Sequence, residues 1–360
     1  MDTKIFKIGI GILLLFLIIY VGSLINWIFT PLIVLFKTLF IPIILAGFLF
    51  YLLRPFVKII NKKLSKTISI LLVYLILICI IIALLFIIGP ILQNQFHSLM
   101  DNMPLIISEI QKSFINIQQN NIIKTHDLNE ILNMEELISQ LGNLINQLGK
   151  NIATNMTNFI SILANTILVL VIIPFILFYL LRDGEQLGKY ILNILNKKHK
   201  KDIQLIFQDI DKTLSSYIQG QGIVCLCVGV LCYITFLIIG LDYALLLAVI
   251  AGITNIIPYF GPWIGTIPAV IVGLFQSPTM ALIVIISIVI IQQIESNLIS
   301  PQVIGKKLNM HPLTIMFLIL VAGRLIGLIG MILVVPTYGI CRVLFTHSIR
   351  LWKLKFKNNN

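Results

Sequence analysis

The chain has 360 residues, 58% of them hydrophobic and only 11% charged, with a mean hydropathy of +1.02 and a formal net charge of +12. Soluble domains carry roughly 25% charged residues, so this composition excludes a soluble protein. The surplus positive charge lies in short runs beside apolar stretches, at 54–66, 197–201 and 350–357. That is the positive-inside signature of a membrane protein, and it argues against a nucleic-acid-binding face.

Taken in order, Ile8 to Ile25 is a first span of about the 20 residues that a bilayer core requires. Lys4 and Lys7 ahead of it resemble a signal-peptide start, but no small-residue cleavage site follows, so the span is expected to be retained. Asn26-Trp27 reads as an interfacial turn and Pro31 to Leu53 as the returning span. The basic loop Arg54 to Lys66 is expected in the cytoplasm together with the N-terminus, and Thr67 to Ile91 crosses outward. Residues 1–92 thus form an N-terminal group of transmembrane helices.

Residues 93–158 are polar and acidic in balance, which fits the outside of the cell. Apolar residues recur there at helical spacing, as in Leu105, Ile106, Ile110 and Phe114, and predict amphipathic helices in need of a partner. Packing against one another, the membrane surface or a neighbouring copy in a homo-oligomer would each serve. Residues 159–181 cross inward with Pro174 as a kink, 182–216 form a charged cytoplasmic helix pair, 217–346 a C-terminal transmembrane core and 347–360 a basic cytoplasmic tail. The fold class is an all-α polytopic membrane protein with about eight passes. Its Gly/Pro-interrupted hairpins in the C-terminal half either cross fully or are re-entrant.

The working part of the core is the string Asn255-Ile256-Ile257-Pro258-Tyr259-Phe260-Gly261-Pro262, set between two apolar segments, Ala244 to Ile257 and Ile264 to Phe275. Broken helices at membrane depth are tolerated only where they are buried in protein or line a cavity, and such interruptions mark transporter sites. Prolines free upstream carbonyls, glycine permits the turn, and Asn255 and Tyr259 supply oriented polar groups. The freed groups suit a cation or a hydroxylated ligand; the other reading is a plain turn at the outer surface.

Between Thr213 and Gly305 the only formal charges are Asp242 and Glu295. Gln292 and Glu295 share a helical face, flanked by Gln293 and Asn297. A carboxylate in a low-dielectric cavity can carry a coupling proton; alternatively Glu295 pairs with Lys306 or Lys307 at the end of its span. Arg324, in a hairpin tip with Gly323, Gly327 and Gly330, is a partner for Glu295, an anion-attracting group or an interfacial anchor. His311 reads as a helix-capping residue before Pro312, and Gly220 and Gly222 as close-packing positions. The five cysteines lie in apolar spans without metal-ligand spacing and read as free thiols.

Four ordered strings, "YIQGQ" (217–221), "GLDYALLLAVIAGITNIIPYFGPWIG" (240–265), "QQIESNLISPQVIGKKLNMHPL" (292–313) and "GLIGMILVVPTYG" (327–339), resemble the AI-2E transporter family. The resemblance implies an integral protein of the bacterial cytoplasmic membrane. It further implies either export of the quorum signal autoinducer-2 or sodium(lithium)/proton antiport, since members of both kinds are described. Gln219 stands where the family more often has arginine.

The resulting expectation is a secondary transporter for a small polar solute or for monovalent cations exchanged with protons. An oligomeric passive pore or membrane scaffold is the alternative. No Walker string, His-Glu-x-x-His or Gly-x-Ser-x-Gly motif occurs, so neither an enzyme nor a bound cofactor or metal is expected. The candidate solute- or ion-binding residues are Asn255, Pro258, Tyr259, Gly261, Pro262, Gln292, Glu295, Asn297 and Arg324.

Overall fold

A computed structural model of the chain describes residues 26–99, 101–102, 159–194, 200–304 and 311–357, together with isolated positions before residue 26. Most of the first expected span, most of the 93–158 segment and the Lys306-Lys307 pair fall outside these. Among the described residues every regular element is helical, as periodicity and composition require. We number them α1 (Asn26–Ile60), α2 (Lys66–Ile87), α3 (Phe159–Ile194), α4 (Lys200–Ile238), α5 (Ala244–Thr254), α6 (Phe260–Gln276), α7 (Pro278–Ile294), α8 (Ser300–Val303), α9 (Pro312–Ile326) and α10 (Leu328–Lys357). A π-helical turn, Glu295–Ile299, joins α7 to α8.

Among the described residues five stretches are long and apolar enough to cross a membrane: Ile33–Ile60, Lys66–Ile87, Lys200–Ile238, Pro278–Val303 and Leu328–Ile349. Their outer faces are covered with exposed Leu, Ile and Phe, which only a lipid solvent makes tolerable over so large an area. The protein is a multi-pass membrane protein.

Several boundaries differ from the sequence reading, for one reason: helices run on through charged segments. The expected basic loop at 54–66 is helical to Ile60, the charged pair at 182–216 prolongs α3 and opens α4, and the basic tail prolongs α10. At the charged end, Arg54 makes two hydrogen bonds to Asp211 (2.7 and 2.8 Å) and lies over the Phe50 ring. His347 meets Asp209 at 2.8 Å. These contacts tie α1 and α10 to the N-terminal half of α4.

The proline interruption at Pro55 is compensated from a neighbouring helix. Pro55 cannot donate to the carbonyl of Tyr51, one turn earlier in α1. Gln219 of α4 fills the vacancy, its Nε2 donating to Tyr51 O at 2.8 Å and to Ser215 Oγ at 2.9 Å. The Tyr74 hydroxyl of α2 donates to the Pro174 carbonyl of α3 (2.9 Å) and ties those two helices together.

The α5–α6 pair is a helical hairpin of two short apolar limbs. With 11 residues, α5 rises about 16 Å, half the hydrocarbon thickness. Both ends of the hairpin lie at the same end of α4, where Gln276 Nε2 donates to the Gly240 carbonyl (3.3 Å). The entry turn uses positive φ at Gly240 and Tyr243, and the start of the 93–158 segment docks on it. Gln95 Oε1 accepts from the Leu246 amide (3.0 Å), one of the unpaired N–H groups that open α5, and Asn102 Nδ2 donates to the Tyr243 hydroxyl (3.1 Å). That part of the amphipathic segment therefore has the intrachain partner the sequence did not reveal. Ser277 restarts the chain, its Oγ accepting from Met280 N, with Pro278 in the first turn of α7.

The α9–α10 hairpin breaks at Gly327 alone, at φ +70°. Gly323 and Gly330 remain helical and serve the close contact between the two helices. Because His347 ties the end of α10 to Asp209, this hairpin opens toward the end of α4 opposite the mouth of α5–α6. Of the cysteines, Cys232 is buried while Cys79 and Cys341 face outward, and all five are free thiols.

Gln219→Leu leaves the Tyr51 carbonyl without its donor and is expected to cost about 1–3 kcal/mol. It should lower the melting temperature of the detergent-purified protein. Gln219→Arg, which keeps a donor, should melt close to the parent; equal melting of the Leu and Arg variants would rule out this role.

Candidate functional site

The break in the α5–α6 hairpin is built by the chain's own chemistry. Pro258 ends hydrogen bonding from its position, and the Ile257 amide instead closes a tighter turn on Thr254 O (3.0 Å). Phe260 N donates to Pro258 O (2.7 Å) across Tyr259, which sits at φ 63°, ψ −41°. This is the rare, strained form of γ-turn, and an aromatic residue at positive φ costs on the order of 1–3 kcal/mol. Gly261 N then donates to Ile257 O (2.8 Å) and α6 begins. A side chain on Gly261 would collide with the Thr254 carbonyl and the Asn255 backbone, and one on Gly265 would meet Ala251 Cα at 2.7 Å. Only glycine lets the two limbs fold this tightly together.

The turn releases the Asn255 carbonyl from helical bonding. Gln221 of α4, itself 7% exposed, donates its Nε2 to that carbonyl at 2.7 Å. Gln219 and Gln221 therefore point about 200° apart around one helix, the first toward α1 and the second toward the hairpin tip.

The tip faces a cavity of about 890 Å³, within the size range of small-molecule sites. Its walls come from the middle of α4, the tip itself, the first turns of α6, the last turns of α7, the π-helical turn and α8, with Ile315 of α9 and Val335 of α10 closing one side. Most of the lining is apolar, and its polar groups are amides, hydroxyls, the Trp263 indole and one carboxyl.

Six of the residues anticipated from sequence, Asn255, Pro258, Tyr259, Pro262, Gln292 and Glu295, line this one cavity. Gly261 lies buried just behind it as a packing position. Asn297 is exposed, one step removed, donating to Gln293 Oε1 at 2.9 Å; Gln293 does line the cavity. Arg324 stands exposed in the last turn of α9, outside the lining. The Gly327 break carries it to the hairpin tip, about two and a half turns beyond Ile315, and it makes no contact with Glu295. His311 caps α9 through Nδ1, which accepts from Leu313 N (3.3 Å). A Cβ on Gly220 would meet Ile304 at 2.7 Å, the close-packing role expected of it.

Residues not anticipated are Tyr217, Gln221, Trp263 and Thr266. The first two lie in the "YIQGQ" string, one turn apart on the same face of α4. Their helical spacing was a usable signal, but nothing local says that this face meets the broken hairpin.

Asn255 is 2% exposed and Tyr217 4%. The Asn255 and Gln292 side chains approach the Glu295 carboxyl. Asn255 Nδ2 and Glu295 Oε2 lie close enough to complete one another, whereas the buried Tyr217 hydroxyl is without a protein partner among the described residues, which is costly unless water or a ligand supplies one.

The sequence pattern described as "AI-2E family transporter" matches residues 11–350. The chain is 39% identical to "Putative transport protein YueF" of Bacillus subtilis (strain 168) over 355 residues, covering 99% of this chain and 96% of the relative. It is 33% identical to "Putative transport protein YrrI" of the same organism, covering 94% and 95%. It is 27% identical to "Putative permease PerM" of Escherichia coli (strain K12), covering 84% and 85%. A broken-helix cavity within a chain matched over nearly its whole length leads to one assignment: this protein belongs to the AI-2E family of membrane transporters.

Proposed function

We propose that the chain is a secondary transporter of the cytoplasmic membrane, with both termini in the cytoplasm. It carries a small polar solute, as in autoinducer-2 export, or exchanges monovalent cations for protons. The observation that carries this reading is that the α5–α6 tip and Glu295, distant in sequence, face one cavity. The basic runs at 54–66 and 350–357 support the orientation. The amphipathic remainder of the 93–158 segment motivates assembly of several copies.

The two hairpins approach the cavity from opposite ends of α4, and each ends at a turn with positive φ. That arrangement suits alternating access, in which one limb opens while the other stays closed around a fixed site. The polar groups of the break hold the solute, and Glu295 carries the coupling proton. The strained γ-turn at Tyr259 gives the tip a conformation that ligand binding can relax or select.

In proteoliposomes with an imposed pH gradient, Glu295→Gln should reduce gradient-driven flux to background while membrane insertion and melting stay near the parent. Parental flux would remove Glu295 from the coupling step. Pro258→Ala restores a backbone donor at the break and should slow turnover severalfold without loss of expression. Gly261 is not a useful companion substitution, because alanine there collides with Thr254. Unchanged flux in Pro258→Ala would favour a passive turn.

A further inference from the structure

We propose that Gln95 and Asn102 are positioning residues for transport. The helical stretch that carries them is a releasable strap, seated on the mouth of the α5–α6 hairpin while the cavity is shut toward that face and lifted when it opens. The inference rests on the transport reading above and goes beyond it by assigning the opening of one face to residues outside the cavity.

The strap has one seating face. Residues 89–99 and 101–102 are helical, and Leu92, Gln95, Phe96, Leu99 and Asn102 recur at spacings of three and four, which stacks them along one side. These are buried or half-buried, while Gln93, Asn94, His97, Ser98 and Asp101 are exposed. Leu99 enters the core shared by α4, α5, α6 and α7, and Leu92 and Phe96 pack beside it.

The polar members of that face complete the start of α5. Tyr243, which precedes α5, makes no side-chain cap to it, so the amides that open the helix need an acceptor from elsewhere. Gln95 Oε1 accepts from Leu246 N (3.0 Å), and Asn102 Nδ2 donates to the Tyr243 hydroxyl (3.1 Å). The first limb of the hairpin is therefore capped by a distant part of the chain.

Such a cap is released cheaply only where water takes its place, and the mouth borders water. Asp242 in the entry turn is exposed, and a carboxylate there faces water and not hydrocarbon. Close by, Gln276 Nε2 donates to the Gly240 carbonyl, while Gln276 Oε1 is buried without a partner among the described residues. Water would complete that acceptor. Gln221 fastens the opposite end of the hairpin, the tip, to α4, so the mouth is the end that parts from its neighbours once the strap lifts.

Thr266→Cys in a cysteine-free protein reports the opening. It is labelled with a membrane-impermeant maleimide in right-side-out and in inverted vesicles, and Asp242→Cys identifies which of them present the mouth. From the mouth side, Gln95→Ala should speed labelling of Thr266→Cys about two- to twelvefold, the effect of one hydrogen bond on a closed–open equilibrium. Asn102→Leu should act in the same direction. Gln95→Glu keeps an acceptor for Leu246 N and should label at the parental rate. A merely structural contact would lower the melting temperature without a one-sided change in labelling. Parental labelling in Gln95→Ala, or faster labelling from both faces alike, overturns the strap and leaves the cavity's role in transport standing. No labelling of Thr266→Cys from either face in any variant overturns the transport reading and the strap with it.

Discussion

The structure depends on where α4 places two amides. In lipid, a proline-interrupted helix exposes carbonyls that no water can reach, so each must find a donor elsewhere in the protein. Gln219 supplies one to Tyr51 of α1 and Gln221 one to Asn255 at the hairpin tip, both within 3 Å. Because the two residues project to opposite sides, α4 becomes the post on which the N-terminal helices and the transport core are both mounted. The Arg54–Asp211 and His347–Asp209 contacts reinforce the same post at its charged end.

Mounting the tip on α4 leaves the other side of the break open, and that is where the cavity forms. The hairpin cannot collapse onto it, since Gly261 and Gly265 already hold its limbs as close as backbone allows. The π-helical turn bears on the same space. It lies at the end of α7, where Glu295 is its first residue, and π insertions inside helices recur at functional sites. Two departures from regular helix, one in α5–α6 and one after α7, thus aim their polar groups at a common point.

Much of this was legible in the chain. The Asn255–Gly265 string announced a break because proline removes a donor and glycine permits a tight turn, whatever surrounds them. Glu295 stood out because apolar composition makes a lone carboxylate conspicuous. What stayed hidden were relations between segments. Nothing near Pro55 tells the reader that Gln219, 164 residues later in the numbering, keeps the helix intact, so a loop was expected there. Tyr217 and Gln221 read as neighbours of packing glycines until α4 was set beside the tip. Arg324 shows the converse: its charge made a pairing with Glu295 one of its readings, but the position of the Gly327 turn decides where it goes.

The central claim is that the α5–α6 tip borders a water-accessible path and not lipid. It is tested most directly by thiol accessibility in a cysteine-free background. Thr266→Cys lines the cavity, whereas Ile267→Cys, next to it in α6, lies outside the lining on the exposed apolar surface. In oriented membrane vesicles, a charged, membrane-impermeant maleimide should label Thr266→Cys and spare Ile267→Cys. Equal labelling of the two, or labelling of Ile267→Cys alone, would contradict the account.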